Sequence, residues 1–337
     1  MSTQKFKWQT LTARYAFPDT RRSIWQIVNT VIPFVVIWYL AYRSLAVGYW
    51  LTLLLAILAG GFMVRMFILF HDCCHGTFFK SQEANNKLGM ILGVLVWTPF
   101  HEWKHNHAIH HATAGDLDRR GVGDVYTMTV EEYLAAPWHK KVGYRIMRNP
   151  LIMFTIGAFL VFTVFHRFWG PRAGKREKQS VIWTNLALAV VVGGLMALIG
   201  WKEFLLVEVP VLMVATSTGV WLFYVQHNFV STYWERHANW DFFRAAMEGS
   251  SFYKLPKVLQ WFTGNIGFHH IHHLSPKIPN YKLEQCYKDN PEFQVPPLTI
   301  RKSLKSLSLR LWDEKERMMV GWNALKKYKP QPAGFRS

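Results

Sequence analysis

The sequence predicts an all-α integral membrane protein with four transmembrane helices, shorter re-entrant or interfacial helices, and a cytoplasmic helical cap that carries a histidine-rich site. Three observations support this fold class. Hydrophobic residues make up 50% of the 337 residues. Four apolar runs are each long enough to cross a hydrocarbon layer of roughly 30 Å as a helix. Three clusters of histidines recur at helical spacing.

The four predicted spans contain almost no charge. They are the runs 24–42, 49–70, 181–200 and 204–225. Arg65 and Glu208 are the charged residues within them. A cation one to two turns inside a span is expected to pair or to reach the interface, and Asp72 follows Arg65 on the same helical face. We therefore expect Arg65 to pair with Asp72 or with a neighbouring acid.

Two shorter apolar runs, 88–100 and 151–165, are predicted to be re-entrant or interfacial helices, or core of the soluble part. Basic residues flank the run 151–165 on both sides, so we expect it to enter the membrane and return to the same side. With four spans, all long basic segments fall on one side, which the distribution of Lys and Arg marks as cytoplasmic.

This orientation divides a single domain, 1–337, into three parts. They are a cytoplasmic N-terminal segment 1–23, a transmembrane region 24–225 with a cytoplasmic loop 71–180, and a cytoplasmic cap 226–337. No cleavable signal precedes the first span, which is expected to stay in the protein. The three cysteines show no CxxC metal spacing, and free thiols fit a reducing cytoplasm.

The formal net charge of +18 calls for an acidic partner. Because the basic residues are spread over segments beside the predicted spans, anionic lipid headgroups are the expected partner, and nucleic acid is not. The sequence therefore predicts a multi-pass membrane protein, with a bacterial inner membrane as the expected location.

The histidine clusters carry the chemistry. His107, His110 and His111 share a helical face, as do His71 with His75, and a third cluster repeats these spacings at the positions His269, His272 and His273. One such pair is more often surface or core decoration than a site, but three clusters in one chain favour a metal site. An all-imidazole set of this size indicates two ions, and iron, copper, nickel and zinc all remain open. His227, at the end of the fourth span, is by its position alone more often an interfacial histidine than a ligand.

Three segments resemble the histidine boxes of the membrane fatty acid desaturases, most closely the acyl-lipid branch that includes the Δ12 (omega-6) enzymes. They are His71-Asp-Cys-Cys-His75, His107-Ala-Ile-His110-His111 and His269-His-Ile-His272-His273 with the following Leu-Ser-Pro-Lys-Ile-Pro-Asn-Tyr281. The resemblance extends from about residue 59 to residue 311 and includes Trp221 to His227. Three boxes in this order make it highly specific.

The resemblance implies a non-haem di-iron centre at the cytoplasmic face, with O₂ as co-substrate. The implied ligands are His71, His75, His107, His110, His111, His227, His269, His272 and His273. His101, His105 and His270 lie outside the pattern. Asp72, Asp116 and Asp118 are expected to accept hydrogen bonds from the outer nitrogens of ligating imidazoles.

The implied activity is an O₂-dependent desaturation that introduces a cis double bond into a fatty acyl chain, with membrane lipid as the expected acyl carrier. No His-Pro-Gly-Gly haem motif is present, so two electrons are expected from a separate ferredoxin-like or cytochrome-like donor. A fatty acyl hydroxylase would use the same metal site. A membrane metal transporter or metal-binding protein is the alternative of another class, although transporters generally place their ligands within the spans rather than at their ends.

Overall fold

The computed structural model describes residues 7–328. The ends of two predicted segments, 1–6 of the N-terminal segment and 329–337 of the cap, lie outside the described residues. The first half of the chain forms the helices α1 (Trp8–Ala13), α2 (Thr20–Ser44), α3 (Tyr49–His75), α4 (Gln82–Leu95), α5 (Phe100–Thr113), α6 (Val130–Ala135) and α7 (Trp138–Met147).

A mixed helix follows between Pro150 and Arg167. It consists of α8 (Pro150–Ile152), a π-helical turn (Met153–Gly157), α9 (Ala158–Thr163) and a 3₁₀ turn (Phe165–Arg167). Two long helices come next, α10 (Lys175–Ile199) and α11 (Trp201–His227).

The cap is built from short elements. Its α-helices are α12 (Phe242–Met247), α13 (Lys257–Phe262), α14 (His269–Leu274), α15 (Asn280–Asp289) and α16 (Ile300–Ser303). Short 3₁₀ helices lie at His237–Asn239, Pro291–Phe293, Leu304–Ser308 and Trp322–Tyr328. Strand β1 (Tyr253–Lys254) pairs in parallel with β2 (Leu298–Thr299), and β3 (Leu311–Asp313) pairs antiparallel with β4 (Met318–Val320).

The fold is therefore mostly helical, but the two small sheets were not expected from an all-α prediction. Strands of two or three residues are too short for an alternating hydrophobic pattern to reveal them. In β3 all three residues are buried, so even the polar and apolar alternation of a surface strand is missing.

Within residues 7–328, five helices are long and apolar enough to cross a membrane: α2, α3, the helix Pro150–Arg167, α10 and α11. The sequence predicted four spans, and Pro150–Arg167 is the additional candidate. Phe154 of this helix packs against Trp221 and Tyr224, close to the histidine-bearing end of α11. Phe162 packs against Phe67, one turn before His71 on α3. Both rings thus lie near the same level of the helix bundle.

The helix α3 forms the centre of the bundle. Of the five apolar helices it is the most buried, and α11 is next. It ends at His75 because Gly76 adopts the left-handed conformation (φ +68°) that commonly terminates helices. The first histidine box therefore occupies the last turn of a buried helix, and its position is fixed by packing on all sides.

The expected pairing of Arg65 with Asp72 is wrong. The guanidinium of Arg65 points towards α2 and α13, where its Nε donates to Thr30 Oγ1 at 3.1 Å and one Nη donates to the Trp261 carbonyl. The carboxylate of Asp72 instead accepts hydrogen bonds from Asn280. Helical periodicity identified the shared face correctly but could not identify the elements that pack on it.

Candidate metal centre

Nine histidines from four parts of the chain converge in two adjacent groups where the helix bundle meets the cap. Within each group, the candidate ligand atoms all lie within 4.8 Å of one another. The five-histidine group contains His71, His75, His107, His111 and His272, and the four-histidine group contains His110, His227, His269 and His273. These are the nine residues that the family resemblance implied as ligands.

Spacing along each helix decides the group to which a histidine belongs. Pairs separated by four residues stay together, as His107 and His111 do in the five-histidine group. A step of three residues crosses to the other group, as from His107 to His110. The third box follows the same rule: His269 and His273 share the four-histidine group, whereas His272 joins the other. Helices α5 and α14 thus each supply both groups.

The Nε2 atoms of the five-histidine group lie in close succession. His75 and His107 approach to 3.0 Å, His107 and His111 to 3.0 Å, and His111 and His272 to 3.1 Å, all between Nε2 atoms. The His107 ring also stacks on Trp103, with ring centroids 4.2 Å apart. Four separate side chains therefore direct the same nitrogen towards one small volume.

The four-histidine group is centred on His227. Its Nε2 lies 3.2 Å from that of His110 and 2.9 Å from that of His269. Its Nδ1 lies 3.2 Å from the carbonyl oxygen of Gly249. A hydrogen bond from Nδ1–H to this carbonyl leaves the lone pair on Nε2, which is the form that binds a metal.

Burial favours the neutral form of the six histidines on α5 and α14. It lowers the pKa of His107, His110, His111, His269, His272 and His273 well below the ordinary value of 6.5. Neutral imidazoles can coordinate a cation, whereas protonated ones cannot. The buried Nε2 of His273 has no hydrogen-bond partner in residues 7–328, and such an orphaned polar atom is costly unless a ligand occupies it. The donor set therefore fits metal ions.

A polar network supports His71 from behind. Its Nδ1 lies 3.4 Å from Asp72 Oδ1, and the other oxygen of Asp72 accepts hydrogen bonds from the backbone N–H and the side-chain amide of Asn280. The Asn280 side chain is also paired with Gln26 on α2. Sequence reasoning indicated Asp72 but missed Asn280 and Gln26. Asn280 follows the third box closely, yet its contact with the first box spans 208 residues.

Asp116 and Asp118 contact other groups. The buried Asp116 accepts hydrogen bonds from Arg119 and lies 2.8 Å from Nδ1 of His237. Asp118 accepts from Arg236 and from the backbone N–H of His237. Burial opposes the shift, but the hydrogen bonds from Arg119 and His237 hold the pKa of Asp116 below its ordinary value. The expected hydrogen bonds from ligating imidazoles to Asp116 and Asp118 stay a prediction. The contacts of the two carboxylates with Arg119, Arg236 and His237 stabilise the loop after the second box.

His101, His105 and His270, which lie within or beside the histidine boxes but outside the sequence pattern, also lie outside both groups. The His270 ring is fully buried, and its Nε2 lies 2.9 Å from the Phe293 carbonyl. His101 contacts the ring of Phe100, and His105 is only partly exposed on α5. Position within a histidine run therefore does not by itself make a residue part of the centre.

A bundle of membrane-length helices with nine converging imidazoles defines a class, the integral membrane proteins with a polyhistidine site suited to metal ions. Within that class, the model of the fatty acid desaturase family matches residues 48–301, which contain every histidine of both groups. The chain therefore belongs to the fatty acid desaturase family, and the predicted resemblance is confirmed. It is an oxidoreductase enzyme.

Named relatives agree with this family. A fatty acid desaturase of Bacillus subtilis (strain 168) is 50% identical over 315 residues, which cover 93% of this chain and 90% of that protein. An sn-1 acyl-lipid omega-3 desaturase (ferredoxin) of Synechocystis sp. is 28% identical over 240 residues, 68% of this chain and 64% of that protein. An sn-1 oleoyl-lipid 12-desaturase of Anabaena variabilis is 26% identical over 293 residues, 80% and 77% of the two chains.

Proposed function

We propose that this fatty acid desaturase is an O₂-dependent acyl-lipid enzyme that introduces a cis double bond into a fatty acyl chain carried by a membrane glycerolipid. The observation that carries the proposal is the convergence of nine imidazoles in two adjacent groups. The acyl-lipid part is supported by relatives in Synechocystis and Anabaena whose names specify acyl-lipid substrates.

The two groups would hold one iron ion each, the five-histidine group one and the four-histidine group the other. Imidazole suits iron, and the family resemblance favours iron over zinc or copper. When bound, the iron pair supplies the oxidising power with which O₂ and two electrons remove hydrogen from an unactivated methylene. Burial of His107, His110 and the third-box histidines keeps water away from this chemistry.

The chain's own residues hold these ligands in place. Asp72 orients His71, and the Gly249 carbonyl orients His227. The stacking of Trp103 on His107 restricts the ring of that ligand. Each group therefore has at least one ligand whose orientation is set by a neighbour.

The proposed topology keeps four spans, α2, α3, α10 and α11, with the histidine-bearing ends on the cytoplasmic side of a bacterial inner membrane. The contacts of Phe154 and Phe162 at one level of the bundle support a helix Pro150–Arg167 that lies along the membrane face rather than across it. The segments 1–23, 71–180 and 226–337 would then be cytoplasmic, within one domain.

We further propose a ferredoxin-type electron donor, since one relative is named as a ferredoxin enzyme. The net charge of +18 suits an acidic carrier protein as well as anionic lipid.

The test is expression in a bacterial host that lacks polyunsaturated lipids, grown with and without added oleate, followed by gas chromatography and mass spectrometry of the fatty acids. We expect new double bonds in lipid-bound chains in air only, and iron at about two ions per purified chain. Hydroxylated chains in place of unsaturated ones would identify the hydroxylase instead. Unchanged fatty acids from protein that has retained its iron would refute the proposal.

A further inference from the structure

A cavity with several charged residues in its wall lies beside the bundle, away from the histidine groups. It has a volume of about 350 Å³ and opens between α2, α3, α13 and α15. Its walls include Arg22, Trp25, Arg65, Lys257 and Trp261. None of these residues belongs to the metal centre, and the reaction proposed above does not use them.

Arg65 is the unusual member of this lining. It is only 3% exposed, yet no carboxylate lies within ion-pair distance of its guanidinium in the part of the chain that the structure describes. Its Nε and one Nη bind Thr30 and the Trp261 carbonyl, and the guanidinium lies 3.9 Å from the centre of the Trp261 ring. The second Nη has no hydrogen-bond partner within residues 7–328. A buried cation without an anion is costly, and an anionic ligand in the cavity would remove that cost.

Glu284, the acidic residue in the cavity wall, does not supply an anion for Arg65. Glu284 is engaged by Lys257 at 2.5 Å and by Lys288 at 2.8 Å. Arg22 is largely exposed and lies 3.8 Å from Asp19, at the limit of an ion pair. The cavity thus keeps an excess of positive charge, centred on Arg65.

The cavity lies at the boundary between the bundle and the cap. Gln26 lines it and is hydrogen-bonded to Asn280, which in turn binds Asp72 beside His71. Trp25 is 64% exposed on the outer face of α2, and indoles are enriched where membrane meets water. In the proposed topology, the beginning of α2 lies at the level of the lipid phosphates.

We propose that this cavity binds the phosphate group of a membrane glycerophospholipid, with Arg65 as its main contact. A guanidinium forms two-pronged hydrogen bonds with phosphate oxygens, and a free Nη is available for one of them. The indoles of Trp25 and Trp261 favour a lipid over free phosphate, because they offer apolar surface beside the charge. That the bound lipid is also the one desaturated rests on the proposed function.

Isothermal titration of the full-length, iron-loaded protein in non-ionic detergent tests the site with three probes: dihexanoyl phosphatidylglycerol, dihexanoylglycerol and inorganic phosphate. The variants are Arg65→Gln, Arg65→Lys and Arg22→Gln. The control is Arg43→Gln, which removes an exposed arginine bonded to Tyr39 at the other end of α2. Iron content and unfolding temperature establish that each variant is folded.

We expect the phospholipid to bind and dihexanoylglycerol not to bind. Arg65→Gln should weaken phospholipid binding about tenfold, and Arg22→Gln about two- to fivefold, because an exposed charge contributes less. Arg65→Lys should retain part of the affinity, and Arg43→Gln should bind like the wild type. If Arg65→Gln does not fold, the comparison of Arg22→Gln with Arg43→Gln tests the proposal. Phospholipid binding should be weaker in Arg22→Gln than in Arg43→Gln, and equal binding would overturn the proposal.

Unchanged binding in Arg65→Gln, or equal binding of dihexanoylglycerol, would overturn the proposal. Inorganic phosphate binding without phospholipid binding would make this a free phosphate site and overturn the lipid assignment. Binding does not depend on catalysis, so wild-type protein that binds phospholipid but desaturates no lipid would count against the proposed function alone.

Discussion

The two histidine groups are built from the same residue type but supported differently. In the five-histidine group, His71 lies beside the carboxylate of Asp72, which Asn280 holds from the cap. In the four-histidine group, His227 lies beside the backbone carbonyl of Gly249. A small cavity of about 20 Å³, enough for one water, also borders this second group at His110 and His227. The side chain of Asp72 supports the five-histidine group, and the main chain at Gly249 supports the four-histidine group. Mutations can therefore perturb one group without the other.

The largest expected effect comes from two neighbours on α5. Replacing His110 or His111 with Ala should each lower desaturation by more than about 100-fold, since a direct ligand is lost. Because the two residues belong to different groups, each variant should keep about one iron per chain, at a different site. Metal analysis and iron spectroscopy check this, with His105→Ala as the control on the same helix. The same spectrum in both variants would contradict the division into two groups.

Asp72→Asn should affect the five-histidine group alone. The change removes the negative charge beside His71 but keeps the size of the side chain, and we expect a loss of about 10- to 100-fold in iron affinity at this group. Competition with a chelator measures the loss at each site. Equal weakening of both sites would mean that the carboxylate acts on the whole centre.

Gly249→Ala is the matched change for the four-histidine group. A Cβ at this position would lie 2.4 Å from the backbone oxygen of Ala245, so the main chain must shift and the carbonyl that binds His227 moves with it. We expect a cost of about 1–3 kcal/mol in stability. Iron should be lost from the four-histidine group first. A variant that loses stability but keeps both irons would show that this carbonyl does not orient the ligand.

Acid should destabilise the iron-free protein through both groups equally. Burial lowers the pKa of three histidines in each group below 6.5: His107, His111 and His272 in one, and His110, His269 and His273 in the other. Below pH 6.5 the unfolded chain therefore takes up protons that the folded chain does not. Stability is complete above pH 6.5 and falls below it, by about 1.4 kcal/mol per histidine and pH unit. Thermal unfolding between pH 8 and 5 measures the slope, which His110→Gln and His111→Gln should reduce by similar amounts.

The smallest effect on the metals is expected for His270→Gln. This residue lies between ligands of the two groups in the third box but belongs to neither, and its ring is hydrogen-bonded to the Phe293 carbonyl. The change should cost about 1–2 kcal/mol in stability. Both irons should remain. Loss of iron from either group would place His270 closer to the centre than its contacts indicate.

Local spacing made the convergence of the box histidines largely predictable. Helical geometry places residues three and four apart on one face, so the spacing of the histidines made the three boxes recognisable in the sequence. Two ions were expected, but the group to which each histidine belongs was not foreseen. Helical geometry gives the direction of His110 and of His111, but it does not show which partner helices complete each group. His227 needed the family resemblance, since it stands alone in its segment.

Contacts between distant segments could not be read from the sequence. The pairing of Asn280 with Asp72 joins the cap to α3, and Arg65 turned towards α2 and α13 rather than along its own helix. The number of spans is subject to the same limit. Hydropathy measures length and apolar content, so it marks the helix Pro150–Arg167 as a candidate without revealing its direction.

The ends of two long helices meet at the histidine groups: His75 is the last residue of α3 and His227 the last of α11. Aligned peptide dipoles give each helix terminus of this kind a partial charge of about −0.5. Before any side chain is considered, the main chain thus creates a field that attracts cations at the point where the histidines converge. Iron would enter a centre that is electrostatically attractive, although its ligands carry no charge.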